Sequence, residues 1–217
     1  MQRSRHVSFI ATFFVSVLIA LPAQSSVVIQ EVLYDGPGTD ADDVFTELFG
    51  TPGLDLTGWS LVGINGGDGQ AYQTVTLDGQ FIPADGLFVI ATAAANGALA
   101  AQRDFIANVD WQNGPDALQL RFGGEIMDAL QYGDAGIHNA GEGNYAVDVT
   151  GALSLSRNLF GADTNDNAID FSAGDPTPGT GPSVVPIPAA VWMFASGLGL
   201  LPVLRRRNYL WGQSKNS

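Results

Sequence analysis

The chain has 217 residues and no cysteine, which excludes disulfides, thiolate metal sites and thiol nucleophiles. Its net charge of −13 is unevenly distributed, because residues 26–183 hold all 22 acidic residues and only three arginines, a net charge of −19. A surface this acidic repels phosphate backbones and anionic lipid headgroups, so we expect no nucleic-acid partner. It favours counter-ions, including calcium.

The N-terminus has the pattern of a cleavable secretory signal. Arg3 and Arg5 precede an apolar stretch over residues 7–21, which is too short to span a bilayer comfortably. The small residues Ala23 and Ser25 follow. The sequence therefore predicts a signal peptide over residues 1–25, cut after Ser25 or, as the alternative, after Ala23.

Residues 27–132 alternate between short apolar runs and turns rich in Gly, Pro, Asp and Asn, which is typical of an all-β sandwich or barrel. Between two of the runs, Gly123 and Gly124 indicate a two-residue hairpin. Alanines within residues 93–107 predict one short helix or helical loop that crosses between the sheets. The predicted strands are 27–34, 44–49, 59–64, 72–77, 87–91, 117–122 and 126–132.

The strand pattern also predicts a core and a domain. Apolar and polar residues alternate over 118–122, which indicates a strand with one wet face. We expect one domain over residues 26–176, since about 150 residues suffice for a single hydrophobic core. The predicted core includes Trp59, Leu61, Phe88, Leu118, Leu120 and Phe122.

Blocks of sequence along this domain resemble, in order, the lamin tail domain family in its bacterial exported form. They cover residues 28–35, 43–49, 54–61, 82–89, 116–120, 154–157, 163–171 and 177–179. The resemblance implies an immunoglobulin-like β-sandwich, which in nuclear relatives is an interaction module without known chemistry. The pattern departs at Thr46, where the family usually has an aliphatic residue, and at Gly50, where it tends to have asparagine.

Candidate catalytic residues are few. His138 is the single histidine of residues 26–183, and no Gly-x-Ser-x-Gly elbow accompanies it. Glu31 and Glu47 each lie inside a predicted strand, and as a carboxylate pair they could serve a carbohydrate-active hydrolase. The alternative is that both are hydrogen-bonded parts of the structure, with Arg157 as the partner of one of them. We expect this alternative, and no enzymatic activity.

A candidate metal site lies late in the domain. Asp163, Asn165, Asn167 and Asp170 place oxygen ligands at spacings that resemble the start of a calcium loop. The EF-hand loop is incomplete, because its twelfth position falls on Gly174 instead of a glutamate. Asp and Asn also form turns that bind no ion, which is the alternative. No other cofactor is expected.

The C-terminus carries a predicted membrane span. A linker over residues 177–183 leads to residues 185–204, which carry no charge and would extend about 30 Å as a helix, the thickness of a bilayer's hydrocarbon core. The run ends at Arg205, Arg206 and Arg207. Such a basic cluster orients its end toward the cytoplasm, so we expect residues 208–217 to be a cytoplasmic tail.

Residues 184–207 resemble the PEP-CTERM sorting signal of bacterial exported proteins. The resemblance is carried by Val185, Pro186, Ile187 and Pro188, by the apolar run after them and by the arginines. Ile187 stands where the motif's naming glutamate would be. The resemblance implies cleavage near Pro186 and Pro188 by exosortase, a membrane protease; the alternative is a permanent anchor.

These features together predict a non-enzymatic exported protein for adhesion or scaffolding at the cell surface or in the extracellular matrix. Expected partners are exosortase, extracellular polysaccharide and surface proteins. The chain would pass through an inner-membrane intermediate, with its N-terminus outside and its C-terminus inside. The alternatives are an acidic-residue hydrolase and a permanently anchored calcium-binding surface domain.

Overall fold

Ten strands and three short helices make up the part of the chain that the computed structural model describes, residues 27–158 and 161–180. The strands are β1 (Val28–Leu33), β2 (Phe45–Phe49), β3 (Trp59–Asn65), β4 (Ala71–Thr76), β5 (Leu87–Ala91), β6 (Phe105–Ile106), β7 (Asp116–Phe122), β8 (Glu125–Tyr132), β9 (Ser154–Arg157) and β10 (Phe171–Gly174). The helices are α1 (Asp40–Asp43), α2 (Gly97–Gln102) and α3 (Asn167–Asp170).

The strands form two sheets. One has six strands in the order β10-β9-β1-β2-β5-β6, and the other has four in the order β4-β3-β7-β8. Strand pairing is antiparallel except between β5 and β6. Apolar side chains from both sheets form one shared core. The predicted all-β sandwich is therefore confirmed as a two-sheet architecture.

All seven predicted strands are present, and each of their ends lies within one residue of the predicted position. The predicted hairpin is also present, because Gly123 and Gly124 have φ values of 58° and 94° between β7 and β8. Positive φ at both central residues is the geometry that a tight hairpin needs. The short helix predicted within residues 93–107 is also present, as Gly97–Gln102.

Five of the six predicted core side chains are buried, and the prediction for Phe122 is wrong. Phe122 is 48% exposed. It is the last residue of β7, next to the hairpin turn, and its ring packs on Trp59 with 5.2 Å between centroids. The end of the strand thus leaves one side of the ring in solvent.

The polar face predicted for β7 is not wet at its centre. Gln119 is 4% exposed, and its side-chain amide donates to the Ala140 carbonyl at 2.7 Å. Ala140 also packs against Val62 and Ile64 on the same face of the four-stranded sheet. The long connection between β8 and β9 therefore covers a face that the alternating pattern assigned to solvent.

The outer face of the six-stranded sheet is also covered. Leu33, Phe45 and Val89 form an apolar cluster there with Leu99 of α2. This explains why β5 is buried along its whole length, since a continuous apolar run suits a strand with both faces covered.

Several predictions fall outside the described residues. These are the signal peptide over 1–25, the sorting signal over 184–207 with its span and arginines, and the cytoplasmic tail. Among the helices of the described residues, none has the length and apolar character needed to cross a membrane.

Candidate functional site

Two clusters of buried charged side chains lie on opposite faces of the six-stranded sheet. We call Arg157 with the surrounding carboxylates the arginine centre; it lies between the two sheets, where β9 ends. We call Glu31 with Glu47 the carboxylate pair; it lies on the outer face, beneath residues 175–180, which we call the strap.

Arg157 is 3% exposed and bonds through all three nitrogens. Its Nε donates to the Ile29 carbonyl at 2.8 Å, and one terminal nitrogen donates to Asp128 at 2.5 Å. The other terminal nitrogen donates to Asp170 at 3.1 Å and to the Ala162 carbonyl at 2.9 Å. The sequence-based prediction that Arg157 pairs with Glu31 or Glu47 is therefore wrong, because its side chain points into the interior and theirs point to the outer face.

Asp128 connects the two sheets through this arginine. The side chain has no exposed surface, and its second oxygen accepts from the Ile29 backbone N–H at 2.6 Å. Ile29 thus gives its N–H to Asp128 and its carbonyl to Arg157, at the point where a bulge interrupts the β1 register. Burial raises the pKa of Asp128, and the charge of Arg157 opposes that rise.

Asp128 was missed at the sequence level, although a signal for it exists. Along β8 it alternates with Leu130 and Tyr132, both of which are fully buried in the core. An acidic residue at an inward-facing strand position needs a partner, because an unpaired buried charge is costly. Because the domain has only three arginines, few cations could partner Asp128, and Arg157 is the one that does.

The loop before β10 uses the predicted calcium ligands in different ways. Asn167 is fully buried, and its side-chain oxygen accepts from the backbone N–H groups of Gln131 and Glu142 at 2.8 and 3.0 Å. Asp170 accepts from Arg157 and from the Thr164 backbone and hydroxyl. Both lone pairs of the Asn167 oxygen are therefore occupied by the protein.

Asp163 and Asn165 form a tight turn at the surface. The Asp163 carboxylate accepts from the Asn165 backbone N–H at 2.9 Å, and Asn165 has a φ of 58°. An asparagine tolerates this left-handed conformation better than most residues. Asp163 also lies 3.8 Å from Arg157. The structure thus brings Asp163 and Asp170 to one cation and directs Asn167 toward the β8 backbone.

A different trio of carboxylates converges beside the arginine centre. Asp128, Glu142 and Asp163 each place an oxygen within 4.8 Å of the others. One oxygen of Glu142 is buried and has no hydrogen-bond partner among the described residues. Burial, with Asp128 and Asp163 nearby, raises the pKa of Glu142 to about 7.

The carboxylate pair consists of two acidic residues directly opposite each other on β1 and β2. Glu31 is 2% exposed and Glu47 is 1% exposed. Within the described residues, no ion pair involves either carboxylate, since the ion pairs there all belong to Arg157. Two like charges in register are unfavourable, so this pair needs another source of stabilisation.

The strap supplies part of that stabilisation. Thr177 donates to Glu31 from its backbone N–H at 2.8 Å and from its hydroxyl at 2.7 Å, and the Gly179 N–H donates to Glu47 at 2.6 Å. The Ser154 hydroxyl also donates to Glu31, at 2.6 Å. The first four residues of the predicted linker over 177–183 are therefore docked on the domain.

The strap has a defined turn. Thr180 donates back to the Thr177 carbonyl at 3.0 Å, and Gly179 has a φ of 67°. Proline followed by glycine at the centre of such a turn is the signature of type II, so Thr-Pro-Gly-Thr encodes the geometry locally. The strap prolines, Pro176 and Pro178, line an apolar groove of about 310 Å³ with Leu33, Phe45 and Leu99 among others.

Proton binding gives the carboxylate pair a second source of stabilisation. Burial raises the pKa of Glu47 to about 8; the Gly179 N–H opposes the rise, and Glu31 adds to it. Neutral Glu47 beside Glu31 is the arrangement expected of two carboxyls that share one site. Because both carboxyls are buried and bonded to the strap, the pair has a structural role in this geometry.

The departures from the family pattern have physical explanations. The hydroxyl of Thr46 accepts from the indole N–H of Trp111 at 2.9 Å, and both side chains are buried. An aliphatic residue at 46 would leave that indole donor unpaired. A side chain at Gly50 would approach Ile82 and Val27 to 3.2 Å, so the close packing favours glycine.

Comparison with known proteins identifies one family. No curated protein and no solved structure matches the chain. The family model described as Lamin Tail Domain matches residues 21–134, slightly more than half of the sequence, and this range contains strands β1 to β8. The chain therefore belongs to the lamin tail domain family.

Proposed function

We propose that this protein is a non-enzymatic adhesion or scaffolding module, exported to the cell surface or extracellular matrix through an exosortase-type sorting signal. The domain belongs to an immunoglobulin-like family that is generally non-catalytic, and such a domain is suited to binding. The observation that carries the proposal is the burial of Glu31 and Glu47. The best candidates for a hydrolytic pair are held under the strap by the protein's own donors.

Polysaccharide assays separate the binding role from the hydrolase alternative. The full chain should co-sediment with exopolysaccharide from the producing cells and release no reducing sugar from it. Sugar release that disappears in Glu31→Gln and Glu47→Gln variants would establish the hydrolase instead. Exposed Glu125 provides the control, since Glu125→Gln should change neither assay.

The sorting proposal rests on the sequence of the two ends. Residues 1–25 would direct export, and a protease would cut near Pro186 and Pro188 before the arginines. Mass spectrometry of the cell-surface fraction tests both cuts. Surface molecules that retain residues 208–217 would favour the permanent anchor, and retention of residues 1–25 would contradict the signal peptide.

A second proposal is weak calcium binding beside the arginine centre, in about the millimolar range of extracellular modules. It is supported by the convergence of Asp128, Glu142 and Asp163 and by the unpartnered oxygen of Glu142. Asn167 and Asp170 are engaged by the protein, so the ion would use Asp163 and Glu142. Arg157 would compete with the calcium ion for Asp163, because the guanidinium lies only 3.8 Å from that carboxylate.

Thermal unfolding with calcium or magnesium at matched ionic strength tests this second proposal. Calcium should raise the midpoint more than magnesium, and Asp163→Ala should abolish the difference. Asp134→Ala, in an exposed turn, is the control for general charge effects. If calcium and magnesium raise the unfolding midpoint equally in all variants, the ions act by charge screening alone, which would contradict specific binding.

A further inference from the structure

The strap is attached to the sheet through two acidic residues that have no cationic partner among the described residues. Three of the hydrogen bonds come from Thr177 and Gly179, and they end on Glu31 and Glu47. We propose that the carboxylate pair is a proton-dependent clamp, which holds the strap while the pair shares one proton and releases it when both carboxylates are ionised.

The geometry assigns different roles to the two carboxyls. Glu31 receives three donors, two from Thr177 and one from the Ser154 hydroxyl, which together solvate a charged carboxylate. Glu47 receives one strong donor, the Gly179 N–H. The single proton of the pair therefore resides on Glu47.

Within the described part of the chain, no cation lies close enough to Glu47 to replace that proton. The charged groups that act on it are Glu31 of β1, Asp85 in the turn before β5 and Asp104 before β6, and all three are acidic. Arg103, next to Asp104 in the chain, donates to the Thr92 carbonyl at 2.6 Å. Burial and these acidic neighbours raise the pKa of Glu47 to about 8, so the clamp is closed at neutral pH.

Ionisation of Glu47 would place two buried negative charges in register, with no counter-ion from residues 27–158 or 161–180, which is strongly unfavourable. Water must then reach the pair. β1 and β2 lie at the centre of the six-stranded sheet, with a neighbour on either side. The strap is a short segment that is exposed on its outer side. Undocking the strap is therefore the least disruptive way to hydrate the pair.

Release would lengthen the connection to the C-terminal segment. Six freed residues can extend the chain by at most about 20 Å. If that segment is the anchor or sorting signal, the distance between the domain and the membrane would depend on pH. This consequence rests on the proposed function, whereas the clamp itself does not.

Hydrogen exchange of the full chain, followed by mass spectrometry from about pH 6 to about pH 9.5, measures the docking directly. After correction for the intrinsic exchange rate, protection of Thr177 and Gly179 should fall about tenfold or more near pH 8. Glu47→Gln should remain protected across the range, since its amide oxygen still accepts and it cannot ionise. Glu125→Gln should behave as the wild type, and β7 and β8 should stay protected throughout.

Constant protection of the strap in the wild type would overturn the clamp, as would an equal loss of protection in Glu47→Gln. If Glu47→Gln does not unfold cooperatively in urea, the wild-type profile decides alone: a fall confined to the strap near pH 8 supports the clamp, and a flat profile contradicts it. These outcomes are independent of where the protein is sorted.

Discussion

The arginine centre and the carboxylate pair are two different ways to bury acidic residues in a very acidic domain. At the arginine centre, Asp128 and Asp170 bond to a guanidinium that also lies 4.6 Å above the Phe171 ring. At the carboxylate pair, a proton and the strap take the place of a cation. The stability of the arginine centre therefore depends on one side chain, Arg157, whereas that of the carboxylate pair depends on pH.

The two regions also differ in what they connect. The arginine centre joins β9 and the loop before α3 to both sheets, so its loss should affect the whole fold. The carboxylate pair joins a peripheral segment to a sheet that has its own core. This difference predicts global effects at the first region and local, pH-dependent effects at the second.

The largest effect should come from Arg157→Ala, which leaves Asp128 and Asp170 buried without their cation. We expect a loss of about 3–5 kcal/mol in the free energy of unfolding, measured by urea denaturation at neutral pH. Arg121→Ala is the matched control, because Arg121 bonds only to Gln119 of its own strand among the described residues. A loss below about 1 kcal/mol for Arg157→Ala would contradict a structural arginine centre.

Glu47→Gln should change the pH dependence of stability. The pKa of Glu47 rises from 4.5 to about 8 on folding, so between these values the folded state holds a proton that the unfolded state has released. Stability of the wild type therefore falls as pH rises through this window, with a slope of at most about 1.4 kcal/mol per pH unit from this group. The variant should lose that contribution.

Urea denaturation of wild type and Glu47→Gln at several pH values gives the slope as a difference. Glu125→Gln, on the exposed end of β8, is the control for removing one negative charge. If the difference between wild type and Glu47→Gln stays constant from pH 4.5 to 8, then Glu47 does not hold a proton in the folded protein.

Glu142→Gln should also remove a fall in stability with rising pH, as Glu47→Gln does, but over a narrower pH range. The pKa of Glu142 is raised from 4.5 to about 7, so its unfavourable contribution grows only between those values. The effect should be smaller than at Glu47, because Glu142 is partly exposed and solvent screens its charge. The same urea series measures it, and a pH profile parallel to that of the wild type would contradict the raised pKa.

Thr177→Val should give the smallest effect, confined to the strap. It removes the hydroxyl that donates to Glu31 at 2.7 Å and keeps the side-chain shape. We expect about 1 kcal/mol less protection of the Gly179 amide in hydrogen exchange, with little change in the urea midpoint. Thr76→Val, at an exposed position of the edge strand β4, is the control. A global loss as large as that of Arg157→Ala would remove the distinction between the two regions.

Local sequence rules predicted most of the strands because their determinants are local. The Gly123–Gly124 hairpin and the apolar run of β5 are each encoded by a few adjacent residues. β9 and β10 were missed because Ser154–Arg157 and Phe171–Gly174 are only four residues long, too short for a firm pattern. Their place in the sheet depends on the distant β1, with which β9 pairs, and on β9, with which β10 pairs. The Thr-Pro-Gly-Thr sequence predicts a linker, yet its docking depends on two glutamates more than 130 residues away in the chain.

The charged sites show the same limit. Scarcity correctly marked Arg157 as structural, but its partner could not be chosen by strand membership alone. Inward alternation selects Asp128, whereas Glu31 and Glu47 belong to the opposite face of their sheet. The spacing of Asp163, Asn165, Asn167 and Asp170 could not reveal that Asn167 bonds to the β8 backbone.

A carbon-13 titration of the side-chain carboxyl of Glu47 in the full chain tests the central claim most directly. The claim is that the carboxylate pair, unlike the arginine centre, is stabilised by a proton. The titration should have its midpoint at about pH 8, with the Gly179 amide signal shifting over the same range. A midpoint at or below the ordinary value of 4.5 would show that Glu47 is ionised at neutral pH and would contradict the claim.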